Sequence, residues 1–300
     1  MPAPKLPTNS TLLVDASSYL FRAWFGVPDV FSDRQGRPLN AVVGFARSLG
    51  LMLRLAQPAR VAVAFDEALF SGFRHRLDPE YKAGRALPDD ALAWQMEACR
   101  RLVRGLGMAE VASQEYEADD LIASLAARER RQGHTVVIAS EDKDLAQLLA
   151  GPSDCLWQFA RQRVLDAGMA ASWLGVAPSR LPELQALTGD AVDGIPGVPG
   201  VGRKTGIALV LACTHIESLL RDPAQVRQLP LRGAPRIALA LEAHRQRIRL
   251  NLRLTTLSAR ATGLPATRRL AWRPPAPPEV ASALAALGLP AGSARHFPEP

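Results

Sequence analysis

Three short apolar runs, each leading into a carboxylate, constrain this chain more than any other feature. Leu12-Leu13-Val14 runs into Asp15, Val61 to Phe65 runs into Asp66, and Thr135 to Ala139 leads to Glu141, Asp142 and Asp144. Unbroken apolar runs of this length suit strands buried on both faces, as in a parallel sheet. Helical stretches lie between them, with Arg47 to Leu55 and Leu121 to Arg131 the clearest. Such β-α alternation predicts an α/β fold: a mostly parallel central sheet flanked by crossover helices. Ligands of open parallel sheets bind beyond the carboxyl ends of the strands. A single strand-end Asp usually forms a turn or caps a helix. Three in one chain bring acids to one edge.

A chain of 300 residues has room for two units and a sizeable core without disulfides. No apolar run approaches the ~18 residues of a membrane span. Residues 1–10 lack the pattern of a secretory signal. Cys99, Cys155 and Cys213 are scattered without CxxC spacing, so neither a disulfide framework nor a zinc site is expected, and a reducing cytoplasm fits. Residues 1–150 hold 18 basic and 19 acidic side chains, whereas 151–300 hold 18 and 10. A basic second half suits a polyanion, nucleic acid above all. Arginine supplies 32 of the 36 cations; this matches a GC-rich coding bias, so only the asymmetry carries weight.

Four constellations carry chemistry. Glu115-Tyr116-Glu117-Ala118-Asp119-Asp120 packs four acids before an apolar helical run. A helix N-terminus accommodates one or two of them; four repel one another unless a cation is near. Asp142-Lys143-Asp144 directs two carboxylates one way if extended. Oxygen donors without His or Cys suit Mg²⁺ or Mn²⁺. Gly189-Asp190-Ala191-Val192-Asp193-Gly194-Ile195-Pro196-Gly197-Val198-Pro199-Gly200-Val201-Gly202-Arg203-Lys204-Thr205 reads as helix, glycine hairpin, helix. Such a hairpin grips a DNA backbone without reading bases. It misses Walker-loop spacing by one residue, which disfavours a kinase or nucleotide switch. Phe73-Arg74-His75-Arg76 and Tyr81-Lys82-Ala83-Gly84-Arg85 place cations in a long connection; alone, that reads as a solvated loop.

In this order and spacing, Leu13 to Ala23, Ala64-Phe65-Asp66, Phe73 to Arg85, Glu117 to Asp120, Asp142 to Asp144 and Gly189 to Thr205 resemble the 5′-nuclease (flap endonuclease) family. Within it, the chain is most similar to the 5′–3′ exonuclease domain that opens bacterial DNA polymerase I. The resemblance covers residues 10–260. It implies a PIN-like catalytic unit at 10–175, with a helical arch at 70–110. It also implies a helical unit at 176–265, with a helix–three-turn–helix at 183–213, and a C-terminal extension at 266–300. The final tail, from Pro290, reads as loose.

By resemblance, Asp15, Asp66, Glu117, Asp119 and Asp120 surround one Mg²⁺ or Mn²⁺, and Asp142, Asp144, Asp190 and Asp193 a second. Asp15, Asp66, Asp119 and Asp142 are the catalytic core of this set. Lys82 and Arg85 neutralise the scissile phosphate from the arch, and Arg74 meets the 5′ single strand. Gly197, Gly200, Gly202, Lys204 and Thr205 hold duplex phosphates, with K⁺ on hairpin carbonyls. Tyr19 and Phe25 either stack on an unpaired base or sit in the core. The implied activity is structure-specific 5′–3′ exonuclease or 5′-flap cleavage in primer removal or DNA repair. Its substrates are DNA flaps, nicks, single-stranded 5′ ends and RNA–DNA primer junctions, cut by a stand-alone cytoplasmic monomer with no membrane partner. Two departures stand out: Gly194 replaces the usual Asn, and Gly206 the usual Ala after Lys-Thr. Competing readings are a DNA-structure-binding protein without catalysis and a PIN-type ribonuclease, the latter disfavoured by the glycine hairpin.

Overall fold

The structure is a computed structural model that describes residues 6–67, 71–85, 87–289 and 291–300. Six strands form one sheet: β1 (Thr11–Asp15), β2 (Arg60–Asp66), β3 (Ala109–Ser113), β4 (Val136–Ala139), β5 (Cys155–Gln158) and β6 (Arg163–Leu165). Their order is β3-β2-β1-β4-β5-β6, and only β6 runs antiparallel to its neighbour. The chain builds outward from β1 to β3, then returns to place β4 on the other side of β1. The gap between β1 and β4 is therefore the switch point where α/β sheets bind ligands.

Alternation along the strands sorts two cores. Leu13, Ala62, Ala64, Val136 and Ile138 face one layer, and Leu12, Val14, Val61, Val63, Phe65 and Val137 face the other. The second layer contains α1 (Ala16–Gly26), α2 (Asn40–Ala56) and, beyond a short α3 (Phe73–Leu77), α4 (Asp90–Gly105). The first contains α5 (Ala118–Arg131), α6 (Ala167–Leu174), α7 (Leu181–Thr188), α8 (Arg203–Leu211), α9 (Ile216–Arg221), α10 (Ala234–Ala243) and α11 (Arg245–Thr255). A last helix, α12 (Pro277–Ala285), returns to α4.

Local side chains cap the starts of α1, α4, α5 and α6. Asp89 caps α4 by accepting the Leu92 N–H at 2.8 Å. Glu117 and Asp120 form a capping box on α5. Helix α2 begins seven residues before the expected Arg47. There the Gln95 amide oxygen, from α4, accepts the Ala41 and Val42 N–H groups at 2.8 and 3.2 Å. That cap comes from a distant helix and leaves no local sequence signature.

Two expectations are corrected. Within the range 70–110, where an arch is expected, residues 90–105 form α4 and pack on the sheet. Leu92, Ala98, Cys99, Leu102 and Val103 of α4 are buried in the sheet's own layer, because the helix needs an apolar partner and α2 supplies it. Within that range, residues 70 and 86 lie outside the described residues. The tail expected to be loose is packed: Phe297 is buried with Leu284, Leu287 and Leu289, and Gly50 of α2 leaves room for His296.

Candidate active site

Asp15 ends β1 and opens α1. Its carboxylate accepts the Ser18 N–H at 3.3 Å and the hydroxyls of Ser18 and Ser140, the latter at 2.6 Å. Asp66 ends β2 and accepts the Ser17 hydroxyl at 2.6 Å and the Ala118 N–H of α5 at 2.8 Å. Asp119 follows in that first turn of α5, and Asp142 and Asp144 follow β4. The sheet edge thus brings Asp15, Asp66, Asp119 and Asp142 within electrostatic reach of one another. Burial pushes Asp119 well above the usual carboxylate range, and the charges of Asp15, Asp142 and Asp66 push it further. Asp15 is raised to about 6, chiefly by burial and against its serine hydrogen bonds. Asp144 is likewise raised to about 6 by burial and by Asp142. Among the described residues, none of Asp15, Asp66, Asp119 and Asp142 makes an ion pair.

Asp120 and Arg74 depart from their expected roles. Arg74 is only 2% exposed and donates all five of its N–H groups within the protein. Two reach Asp120 at 2.5 and 2.9 Å, one reaches Glu117 at 3.2 Å, and two reach the Leu254 and Thr256 carbonyls at 2.7 and 3.2 Å. Asp120 also accepts the Ser258 N–H at 2.7 Å and the Glu117 N–H at 3.2 Å. All four of its lone pairs are so occupied, and Asp120 anchors α3 to α5. Arg74 bolts α3 to α5 and to the end of α11, and has no donor left for a 5′ strand.

Residues 78–85 lie across the acidic edge. The Lys82 N–H donates to the Asp193 carbonyl at 2.9 Å, and Lys82 adopts a left-handed φ of +54°. Its ammonium is 2.8 Å from Glu117 and 4.0 Å from Asp193. Arg85 pairs with Asp193 at 2.7 Å, and the Tyr81 hydroxyl donates to Glu117 at 3.0 Å. Burial favours a neutral Glu117, but Lys82 and Arg74 outweigh it and hold the carboxyl below its ordinary range. On the other flank, Lys143 reaches Asp190 at 2.9 Å and Asp144 at 3.2 Å. The Gln185 amide donates to the same two acids at 3.0 and 2.8 Å. Sequence reasoning gave no role to Ser17, Ser18, Ser140, Tyr81, Lys143 or Gln185. Ser17 and Ser18 follow directly on Asp15, and lysine is rare in this arginine-rich chain; those were the available signals.

The hairpin joins α7 to α8 through Gly189, Gly194 and Gly200, with φ of +76°, +69° and +82°. Gly194 therefore replaces Asn at a left-handed position that both residues tolerate. Gly197 sits against the Thr188 carbonyl, where a side chain has no room. In contrast, a Cβ at Gly200 or Gly202 meets nothing within 4 Å. Gly202 begins α8 with no side-chain cap, and Lys204 is exposed in the first turn. This leaves an open helix N-terminus able to receive a phosphate. Tyr19 is buried beside Phe159, whereas Phe25 is 82% exposed.

The acid cluster is all oxygen, carries excess negative charge and includes carboxylates raised by one another. That donor set fits hard divalent cations such as Mg²⁺ or Mn²⁺. Among the described residues, no three His, Cys, Asp or Glu side chains are drawn to chelating distance. No helix among those residues is long and apolar enough to cross a membrane.

The fold and site together are those of an α/β protein with an acidic switch point on a mostly parallel sheet, flanked by lysines and a glycine hairpin. Two family descriptions match: "5'-3' exonuclease, N-terminal resolvase-like domain" over residues 10–170 and "5'-3' exonuclease, C-terminal SAM fold" over 176–277. The chain belongs to the 5′–3′ exonuclease family. It is 39% identical over 249 residues to DNA polymerase I of Pseudomonas aeruginosa, covering 82% of this chain and 27% of that protein. It thus spans about a quarter of the DNA polymerase I relatives it matches. A 5′–3′ exonuclease of Buchnera aphidicola is 26% identical over 253 residues, covering 84% of this chain and 87% of that one. A zinc-bound T5 5′-exonuclease structure superposes with a TM-score of 0.64 at 21% identity, covering 95% and 97% of the two chains.

Proposed function

We propose that this protein hydrolyses DNA phosphodiesters near 5′ ends, as a structure-specific 5′–3′ exonuclease or flap endonuclease. The observation that carries this reading is the convergence of Asp15, Asp66, Asp119 and Asp142 at the switch point, beneath a segment bearing Lys82 and Arg85. Residues 10–175 act as the catalytic unit and 176–265 as the unit that holds duplex. Asp15, Asp66, Glu117 and Asp119 hold one divalent cation, and Asp142, Asp144, Asp190 and Asp193 a second. When bound, such cations lower the pKa of water and neutralise the scissile phosphate.

The chain's own groups orient the substrate. Ser17, Ser18 and Ser140 fix the Asp15 and Asp66 carboxylates. Lys82 and Arg85 offer charge to the phosphate from above. The free N–H groups of α8, with Gly200, Gly202, Lys204 and Thr205, grip the duplex backbone downstream, and hairpin carbonyls hold K⁺. Flaps, nicks, single-stranded 5′ ends and RNA–DNA junctions are the substrates, met in the cytoplasm by a monomer. The test is a 5′-labelled DNA flap incubated with Mg²⁺, with EDTA, and with Asp15→Ala. Mg²⁺-dependent release lost in the variant supports the reading. Tight binding without cleavage in Mg²⁺ or Mn²⁺ overturns it in favour of a DNA-structure binder.

A further inference from the structure

The chain has four lysines against 32 arginines, and two of the four stand among the acids. Each bridges carboxylates from different parts of the fold. Lys82 lies 2.8 Å from Glu117, which opens α5, and 4.0 Å from Asp193 in the hairpin. Lys143 lies 3.2 Å from Asp144, which follows β4, and 2.9 Å from Asp190, which follows α7. The two bridges are alike although they come from unrelated segments. We propose that Lys82 and Lys143 are built-in counterions of the cation sites, Lys143 within the second site and Lys82 between the first and the second, and that divalent cations bind by displacing their ammonium groups. The inference rests on the metal-dependent reading above.

Side-chain chemistry favours an exchangeable role. Where this protein ties an acid permanently, it uses arginine: Arg74 clasps Asp120 through two nitrogens. A guanidinium fork is rigid and bidentate, whereas an ammonium is a compact point charge on a flexible stem. Lys143 puts one positive charge between two negative ones, leaving a deficit that a divalent cation removes and an ammonium does not, whereas the acids that Lys82 bridges also meet Arg74 and Arg85. The bridges also account for acids that are close yet not drawn to chelating distance. Once displaced, each lysine has somewhere to go. The Lys143 side chain is 42% exposed, at the mouth of a cleft shared with Ser18 and Arg161. Lys82 stays tethered over the cleft by its N–H bond to Asp193, free to turn its ammonium towards a phosphate.

The test is calorimetric titration of the full chain with Mn²⁺ in the absence of DNA, for wild type, Lys82→Met, Lys143→Met and Lys143→Arg. Removing a positive charge a few ångströms from the cation should tighten Mn²⁺ binding about tenfold in each Met variant. Lys143→Arg should weaken it, because a fork is harder to displace. In parallel, acetylation of wild type read by mass spectrometry should rise at Lys143 and Lys82 on adding Mn²⁺, and stay constant at exposed Lys204. Met variants that bind no more tightly than wild type, or acetylation unchanged by Mn²⁺ that does bind, overturn the counterion role. A wild type that binds no Mn²⁺ overturns the metal-dependent reading itself. The acetylation measurement needs no variant, so the proposal is tested even if Lys143→Met fails to fold.

Discussion

At the scale of single residues, Arg74 and Asp120 form one buried pair. Removing one partner of such a pair leaves an uncompensated charge and costs roughly 3–5 kcal/mol. Arg74→Ala should therefore lower chemical-denaturation stability by about that amount. Arg74→Met with Asp120→Leu should recover much of the loss, which a double-mutant cycle measures. The unpaired acids behave oppositely. A carboxyl whose folded pKa lies above its unfolded value adds stability below the unfolded pKa and loses it as pH rises through the folded one. Asp15 and Asp144, raised from 3.8 to about 6, should make the metal-free protein less stable between about pH 4 and pH 6. Asp119→Asn should raise metal-free Tm at pH 7.5 while abolishing cleavage. An unchanged Tm would mean that this cluster stores no repulsion.

At the scale of elements, the hairpin separates glycines needed for packing from glycines open to a ligand. A Cβ on Gly206 would fall 2.6 Å from the Thr188 methyl and 2.9 Å from Leu184. This explains Gly at the position where the family usually carries Ala, since α7 and α8 touch there. Gly206→Ala should cost about 1–3 kcal/mol by overpacking. Thr188→Ser, which removes the methyl, should restore part of it in thermal melts. Gly202→Ala meets no neighbour and should leave Tm unchanged while weakening duplex binding in fluorescence anisotropy. Equal Tm losses in the two variants would contradict this division. Helix α5 was legible because its cap, the Glu117–Asp120 box, lies in adjacent sequence. The start of α2 was not, because Gln95 caps it from 54 residues away.

At the scale of the whole molecule, the C-terminal thirty residues belong to the catalytic layer. Trp272 donates its indole N–H to the Leu106 carbonyl at 2.9 Å, and its backbone N–H to Ala59 at 3.1 Å. Val280, Leu284, Leu287, Leu289 and Phe297 are buried with it. At about 1.5–3 kcal/mol per buried apolar side chain, their combined burial rivals the roughly 5–15 kcal/mol stability of a whole domain. Truncation after Leu270 should therefore abolish a cooperative melt followed by circular dichroism. A truncated chain with wild-type Tm would show the extension to be dispensable.

The sequence by itself determined the mostly parallel class of sheet, the strands β1, β2 and β4, and the acids at their ends. Those follow from apolar runs and the residues directly after them, which are local facts. It also marked the glycine hairpin, because left-handed turns favour glycine. Only the tertiary structure decided which charges are free. Nothing local in Glu117-Ala118-Asp119-Asp120 distinguishes Asp119, which faces Asp15 and Asp142, from Asp120, which faces Arg74. Likewise, Lys82 and Lys143 become bridges only when the hairpin acids Asp193 and Asp190 fold against them. A carboxylate's role is set by the charges around it, and long-range folding chooses those neighbours.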